Sequence, residues 1–134
     1  MNENKIKILV VEDNQDNREV IALFIRGIAV SDFAINGEEA LTKTELNYYD
    51  IILMDINLGM GINGLDVTKL LRQRENYKST PIVAVTAYSL MEDQKRILDA
   101  GCSHYVGKPF TRKQLHELIS KICLDYCLLK RFNN

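Results

Sequence analysis

The chain has 134 residues and a formal net charge of −1, so its size suits one globular domain and its charge gives no strong attraction for nucleic acid. No apolar run approaches the roughly 18 to 20 residues that a membrane-spanning helix needs, and the N-terminus lacks the apolar stretch of a secretory signal. Three cysteines, an odd and sparse number, argue against a disulfide framework and fit a reducing cytoplasm. We therefore expect a single cytoplasmic domain over residues 1–134 that binds neither membrane nor nucleic acid directly.

The first half of the chain alternates short apolar runs with longer amphipathic segments. Lys5–Val11 ends in a continuous apolar stretch, which is typical of a buried parallel strand. A helix is predicted from about Asp16 to Arg26, and Val30–Ala34 is a weaker strand. The dipeptide Asn36-Gly37 indicates a turn, and the Glu- and Ala-rich residues that follow predict a helix to about Leu46.

The middle of the chain repeats this alternation around a glycine-rich loop. Ile51–Met54 predicts a third strand that ends at Asp55, and Asn57–Asn63 is predicted to be loop. A helix follows from about Leu65 to Glu75, in which Leu70 and Leu71 are expected to face the core.

The last third completes the pattern. Pro81–Val85 predicts a fourth strand ending at Thr86, and a helix from about Leu90 to Ala100 stops at Gly101. His104–Val106 predicts a short fifth strand, and a final helix runs from about Arg112 past Ile122. Five strand–helix alternations predict a parallel sheet covered by helices on both faces, with all carboxyl strand ends at one edge.

Polar residues stand where these strands end. Glu12 and Asp13 follow the first strand, Asp55 the third, Thr86 the fourth, and Lys108 the fifth. Ligand sites of open α/β sheets lie outside the carboxyl ends of the strands. Three carboxylates together favour a hard cation such as Mg²⁺. A carboxylate nucleophile, a divalent cation, a hydroxyl and an ammonium are what phosphoryl transfer to a protein requires.

Each of these residues also has an ordinary structural interpretation. A strand-end Asp often only forms a turn, Glu12 and Asp13 could help cap the first helix, and Lys108 could be solvated. What favours function is that all four strand ends carry suitable groups. Other metal sites are disfavoured because they lack ligands: the candidate sets are Cys123 and Cys127 with His116, and Cys102 with His104.

At this point the sequence closely resembles the receiver domains of response regulators in two-component signalling systems. The resemblance covers about residues 5–124 and leaves 125–134 as a helix extension or tail, too short for an output domain. The matching segments are Val10–Asn14, Asn36–Leu41, Met54-Asp55, Val85–Ala87, Ala100-Gly101 and Lys108–Phe110. It implies an α/β, flavodoxin-like (βα)5 three-layer sandwich, whose five-stranded parallel sheet has the order 2-1-3-4-5.

The resemblance also implies specific roles around an Mg²⁺ ion. Asp55 would be the phosphoacceptor and, with Asp13 and the backbone carbonyl of Asn57, a direct metal ligand. Glu12 would act on the metal through water. Thr86 and Lys108 would bind the phosphoryl group.

Two further features follow from the resemblance. Tyr105 would be the switch aromatic whose orientation is coupled to Thr86, and the Lys108–Pro109 bond would be cis.

The resemblance also implies partners. The phosphoryl donor would be a histidine kinase or a histidine phosphotransfer domain, and phosphorylation would switch the surface of the fourth helix, fifth strand and fifth helix. The chain would be a monomer or weak dimer, either a stand-alone regulator or the receiver of a hybrid histidine kinase. Independently of the resemblance, the bulky side chain of Tyr88, two residues after Thr86, is expected to screen Asp55 from attacking water.

One segment departs from the family pattern. The family usually has proline four residues after the acceptor, where this chain has Gly59, and its glycine comes eight residues after, whereas Gly64 is nine after Asp55. The run Gly59–Gly64 also spells G-x-G-x-x-G, but a dinucleotide site is disfavoured because the run follows the third strand and stands beside acidic Asp55. The loop is therefore expected to be longer and differently shaped.

Two other functions compete with phosphate acceptance. A phosphorylation-independent pseudo-receiver would be a protein-interaction module, but such domains usually lose an acid, the Thr or the Lys, and all are present here. An aspartate-dependent phosphatase would resemble D-x-D-x-T, whereas Asp55-Ile56-Asn57 lacks the second acid. We therefore expect a signalling domain that assists only its own phosphorylation and dephosphorylation, rather than an enzyme.

Overall fold

The computed structural model describes residues 5–59, 61–87, 90–126 and 128, without the side chains of 90–93. Strands and helices alternate along the chain, with one short 3-10 helix between the third helix and the fourth strand. The elements are β1 Ile6–Val11, α1 Gln15–Ile25, β2 Ala29–Ala34, α2 Gly37–Leu46, β3 Ile51–Asp55, α3 Gly64–Arg72, the 3-10 helix Glu75–Tyr77, β4 Ile82–Thr86, α4 Leu90–Ala100, β5 His104–Gly107 and α5 Arg112–Asp125.

All five strands form one parallel sheet in the order β2-β1-β3-β4-β5. The predicted flavodoxin-like sandwich and its strand order are therefore confirmed. β3 lies at the centre of the sheet and every one of its residues is buried, whereas β5 is an edge strand whose residues are all half-buried. This difference follows from position, because a central strand is covered on both faces and paired on both sides.

Alternating side chains of the central strands fill two separate cores. On one face Leu9 and Ile52 pack with residues of α2, α3 and α4, including Leu71. On the other face Ile8 and Leu53 pack with α1 and α5. Two apolar faces explain why these strands read as continuous hydrophobic runs rather than as alternating ones.

A polar residue caps the start of four of the helices, namely α1, α2, α3 and α5. Asn14 Oδ1 accepts from Asn17 N at 2.9 Å, Asn36 Oδ1 from Glu39 N at 2.8 Å, and Asn63 Oδ1 from Asp66 N at 2.9 Å. Thr111 forms a reciprocal capping box with Gln114 at the start of α5. These caps fix where each helix begins; the connections before α1, α2 and α5 are short, whereas the loop before α3 spans residues 56–63.

Two details of the third helix differ from the prediction. Leu70 is 42% exposed, so the expectation that it faces the core is wrong, whereas Leu71 is fully buried. Val67 and Leu71 lie one turn apart and define the buried face, and Leu70 is rotated about 100° from it. The helix also ends at Arg72, and buried Tyr77 closes the short 3-10 helix that follows. Among the described helices, none combines the length and apolar character needed to cross a membrane.

Candidate phosphoacceptor site

The register of the sheet brings the predicted site residues to one edge. Val11 pairs with Met54, so Glu12 and Asp55 continue side by side from adjacent strands. Asp55 pairs with Val85, and Thr86 pairs with Gly107, the residue before Lys108. Four strands thus deliver their terminal polar groups to the same place, as the sequence predicted.

Glu12, Asp13 and Asp55 form a tight acidic cluster. Each offers a carboxylate oxygen, and the three oxygens lie within 4.8 Å of one another. Glu12 and Asp55 are buried, whereas Asp13 is exposed at the rim. Within the part of the chain that the structure describes, this is the one group of three or more Asp, Glu, His or Cys side chains close enough to share an ion. The cysteine–histidine pairs form no such group, and Cys127 lies outside the described residues.

Lys108 is the cation of this cluster and contacts two of its acids. Its Nζ donates to Glu12 Oε1 at 2.9 Å and to Asp55 Oδ2 at 3.2 Å. Burial by itself lowers the pKa of the Lys108 ammonium, but the hydrogen bonds and charges of Glu12 and Asp55 outweigh burial and raise that pKa. Lys108 is therefore firmly charged, and its ammonium lies within reach of any group attached to Asp55.

Glu12 is held from two sides. Its Oε2 accepts from Asn14 N at 3.1 Å, while Oε1 accepts from Lys108. Arg18 Nη1 also donates to the backbone oxygen of Glu12 at 3.0 Å, which ties the end of β1 to α1. Burial raises the pKa of the Glu12 carboxyl, and the bond from Lys108 opposes that rise. Both carboxylate oxygens of Glu12 are therefore fixed by hydrogen bonds.

Asp55 is fixed by the loop that follows it. Its Oδ1 accepts from Asn57 N at 2.9 Å, so the backbone turns back over the carboxylate. Gly64 begins α3 directly against this strand end. A Cβ there would lie 2.3 Å from the backbone oxygen of Asp55, so only glycine permits the approach.

Thr86 and Tyr105 lie on the same face of the sheet. Thr86 is fully buried at the end of β4. Ala84 pairs with Tyr105, and Ala84 and Thr86 are two residues apart on one strand, so their side chains share a face. Tyr105 is half-buried and packs against the core on that face. The Lys108–Pro109 bond is cis, as expected. Tyr88 lies outside the described residues.

The loop after β3 faces the acidic cluster through Gly59. Its N–H donates to Asp13 Oδ2 at 3.2 Å, a bond that a proline at this position could not form. Gly61 has a φ of +80° and lies against the carboxylate of Glu38. Both glycines thus contact acids, which further disfavours a pyrophosphate in this loop. Sequence reasoning found the departure at Gly59 but not its hydrogen bond, since the partner lies 46 positions away.

The donor set of the site suits Mg²⁺. Mg²⁺ prefers hard oxygen ligands that carry negative charge. The acidic cluster supplies three carboxylates against one lysine, and exposed Asp13 is accessible from solvent. The resemblance adds the backbone carbonyl of Asn57, two residues after Asp55, to this set of oxygen ligands. The residues present therefore fit the metal that the resemblance implies.

Comparison with known proteins identifies the family. The sequence model of the response regulator receiver domain matches residues 8–120. The chain is 34% identical to the polar-differentiation response regulator DivK of Brucella abortus, over 88% of this chain and 96% of DivK. The chain therefore belongs to the receiver domain family of response regulators and is a receiver domain of a two-component system.

Other relatives are far longer than this chain. It is 38% identical to the osmosensing histidine protein kinase SLN1 of Saccharomyces cerevisiae over 93% of the chain but 11% of that kinase. It is 36% identical to the hybrid signal transduction histidine kinase G of Dictyostelium discoideum over 91% of the chain but 4% of that kinase. The chain thus spans a small part of these kinases.

Solved structures share the fold. A response regulator from Chloroflexus aurantiacus matches with a TM-score of 0.84 and 30% identity, covering 90% of this chain and 98% of that one. The receiver domain of the sensor histidine kinase PA1611 of Pseudomonas aeruginosa matches with a TM-score of 0.80 and 35% identity, covering 87% and 96%. That structure contains a magnesium ion coordinated in its active-site cleft.

Proposed function

We propose that this receiver domain accepts a phosphoryl group on Asp55 within a His–Asp phosphorelay. The donor is a phosphohistidine on a histidine kinase or a histidine phosphotransfer domain. The observation that carries the proposal is the arrangement around Asp55, whose carboxylate shares a 4.8 Å cluster with Glu12 and Asp13 and contacts Lys108 at 3.2 Å. A structural ion pair requires one acid for each cation. Here three acids share one lysine, and this excess of negative charge favours a function that depends on a bound cation.

The ligand set is the one that the family resemblance implies. Asp13, Asp55 and the carbonyl oxygen of Asn57 would bind Mg²⁺ directly, and Glu12 would act on the metal through water. When bound, Mg²⁺ neutralises the charge on the acids and on the phosphoryl oxygens. Asp13 is the exposed member of the set, so it faces the solvent from which the ion arrives.

The transfer uses Asp55 as nucleophile. A carboxylate oxygen bonds to phosphorus as the bond from phosphorus to the histidine nitrogen breaks, and the released ring is left neutral after taking up a proton. Lys108 already touches Asp55, so its ammonium pairs with a phosphoryl oxygen after small movement. The Thr86 hydroxyl donates to another phosphoryl oxygen from the neighbouring strand end.

The response is carried by the strand that bears Tyr105. Thr86 and Tyr105 share one face of the sheet, so movement of Thr86 toward a phosphoryl group gives the Tyr105 ring room to turn inward. The surface that changes is formed by α4, β5 and α5. A downstream partner binds this surface. The chain is a monomer or weak dimer, and it acts either alone or as part of a longer kinase.

Acetyl phosphate with Mg²⁺ tests the proposal, with intact-mass spectrometry as the measurement. The unaltered protein should gain the mass of one phosphoryl group in an acid-stable, base-labile form. Asp55→Asn should gain none, while Asp66→Asn, an exposed acid on α3, should gain it normally. A missing mass gain in the unaltered protein, or one retained in Asp55→Asn, contradicts the proposal and favours a phosphorylation-independent interaction module.

A further inference from the structure

We infer that Glu38, on the first turn of α2, is a positioning residue that holds the loop between β3 and α3 for Mg²⁺ binding. The inference rests on the proposed metal site, because the loop supplies Asn57 and contacts Asp13. Glu38 itself lies outside the acidic cluster at the sheet edge. Its role is to hold the backbone that approaches that cluster.

Besides Asp55 at the end of β3, two carboxylates from other parts of the chain accept hydrogen bonds from the loop backbone. Asp13 Oδ2 accepts from Gly59 N at 3.2 Å, and Glu38 Oε2 accepts from Ile62 N at 3.5 Å. One anchor is therefore a proposed metal ligand, and the other stands on a different helix. The loop backbone between Gly59 and Ile62 is held at both of these points, so its path depends on both anchors.

The ends of the loop are already fixed by local bonds. Asn57 N donates to Asp55 Oδ1 at 2.9 Å, and Asn63 caps α3. Ile56 and Leu58 are buried in the core. Between these ends the chain contains Gly59 and Gly61, which impose few restrictions on the backbone. A bond to Ile62 therefore removes freedom that the sequence itself leaves in the loop.

The position of Glu38 is specific to this loop. A Cβ at Gly61 would lie 2.4 Å from Glu38 Oε1, and the φ of +80° at Gly61 is itself one that glycine adopts readily. Glycine here lets the backbone approach the carboxylate closely. Ile62 in turn packs against the core on the α2 side, which brings its N–H to Glu38.

The neighbouring Glu39 provides a matched comparison. It carries the same charge on the same helical turn, but its Oε1 accepts from Ile35 N at 3.1 Å and lies 3.9 Å from Lys43 Nζ. Glu39 therefore caps its own helix, whereas Glu38 reaches a backbone 24 positions away. Replacing each by alanine removes one negative charge from α2 but only one replacement releases the loop.

An amide NMR titration with MgCl₂ tests the inference on the full chain. Glu38→Ala should raise the Kd for Mg²⁺ about threefold, less than the 10- to 100-fold typical of a partner bonded directly to a metal ligand, because Glu38 acts through the loop. The amide signals of Gly59, Gly61 and Ile62 should move before any metal is added. Glu39→Ala should leave both the Kd and these signals close to those of the unaltered protein.

A second variant approaches the same contact from the loop. Gly61→Ala should displace the Glu38 carboxylate and weaken Mg²⁺ binding at least as much as Glu38→Ala. Equal Mg²⁺ affinities for Glu38→Ala and Glu39→Ala overturn the inference. If the unaltered protein shows no Mg²⁺ binding that depends on Asp55, the proposed function fails instead, so the two failures are distinguishable.

Discussion

Two lysine–carboxylate clusters among the described residues differ in how their charges balance. The acceptor cluster contains Lys108 with three acids, Glu12, Asp13 and Asp55. The β2–α2 cluster contains Asp32, Lys43 and Tyr49, in which Lys43 Nζ lies 3.2 Å from Asp32 Oδ1 and Tyr49 donates to Asp32 Oδ2 at 2.5 Å. Both clusters join distant parts of the chain. In the second, Lys43 has one acid within hydrogen-bond distance, Asp32, and the carboxylate of Glu39 lies farther away at 3.9 Å, so its charges are closer to balance.

The electrostatics of the β2–α2 cluster are those of a structural bond. Partial burial by itself would raise the pKa of the Asp32 carboxyl, but hydrogen bonds from Tyr49, the Phe33 amide and Lys43 lower it overall. Burial and the neighbouring Asp32 charge raise the pKa of the Tyr49 hydroxyl, so it stays protonated and donates. Every partner favours the charge state of the others.

In the acceptor cluster the partners conflict. Burial and the charge of Asp55 raise the pKa of Glu12 against the effect of Lys108. A fold that needed only to join β1, β3 and β5 could do so with one acid and Lys108. The difference between the clusters teaches that an uncompensated set of buried acids indicates a ligand rather than a structural bond.

The largest effect is expected from removing the cation of the acceptor cluster. Lys108→Met leaves Glu12 and Asp55 buried without their ammonium partner. We expect the free energy of unfolding at pH 7 to fall by about 2 kcal/mol. This is below the range for fully buried pairs because the Lys108 side chain is 25% exposed. Urea unfolding without Mg²⁺ measures it. Lys113→Met, an exposed lysine of α5, is the control and should change little.

The same variant should show a characteristic pH dependence. Without Lys108 the pKa of Glu12, already raised by burial, rises further in the folded state. A raised carboxyl pKa means that the folded state holds more protons than the unfolded state, so stability falls as pH rises above the ordinary value of 4.5. The defect should therefore be smaller at pH 5 than at pH 8. A defect independent of pH would show that Lys108 acts through packing alone.

A smaller effect of opposite sign is expected from removing an acid. Asp55→Asn keeps an oxygen that accepts from Asn57 but removes one charge from the crowded cluster. Without Mg²⁺ we expect the protein to gain about 1 kcal/mol of stability, since buried like charges repel. Asp32→Asn in the balanced cluster is the control and should lose stability instead. If both variants change stability in the same direction, the contrast between the clusters is wrong.

The smallest effect is expected in the β2–α2 cluster. Tyr49→Phe removes one hydrogen bond to Asp32. Because the Asp32 side chain is 44% exposed, we expect the free energy of unfolding to fall by about 0.5 kcal/mol, the low end for such bonds. The lowered pKa of Asp32 means that its contribution is present above the ordinary value of 3.8 and is lost as pH falls through the folded value. Tyr49→Phe should therefore unfold less steeply in acid, with Mg²⁺ binding unchanged.

Much of this architecture could be predicted from local patterns. Continuous apolar runs located the strands, and β3 and β4 end at Asp55 and Thr86, as predicted. The strand-end acids were recognisable because a parallel sheet gathers its carboxyl ends at one edge. The location of the site was predictable for the same reason, because the sheet topology brings residues that are distant in sequence together.

What the patterns missed depends on contacts across the fold. Leu70 looked like a core residue because it is apolar, but the buried face of α3 is set by its neighbours. The contact of Lys108 with Glu12, the bond of Gly59 to Asp13 and the reach of Glu38 to Ile62 join residues with no shared local signal. Side-chain reach of this kind is a property of the packed chain, not of a segment.

The placement of the site on the sheet also divides it mechanically. Asp55 ends β3, which is paired on both sides and wholly buried. Tyr105 lies on β5 and Lys108 directly follows it; β5 is an edge strand with a single neighbour and half-buried residues. Displacing the central strand disturbs two cores and two ladders, while displacing the edge disturbs one ladder. The proposed acceptor thus lies on a strand that is held on both sides and Tyr105 on one that is held on a single side, so we expect a change in charge at Asp55 to appear as motion at the edge of the sheet.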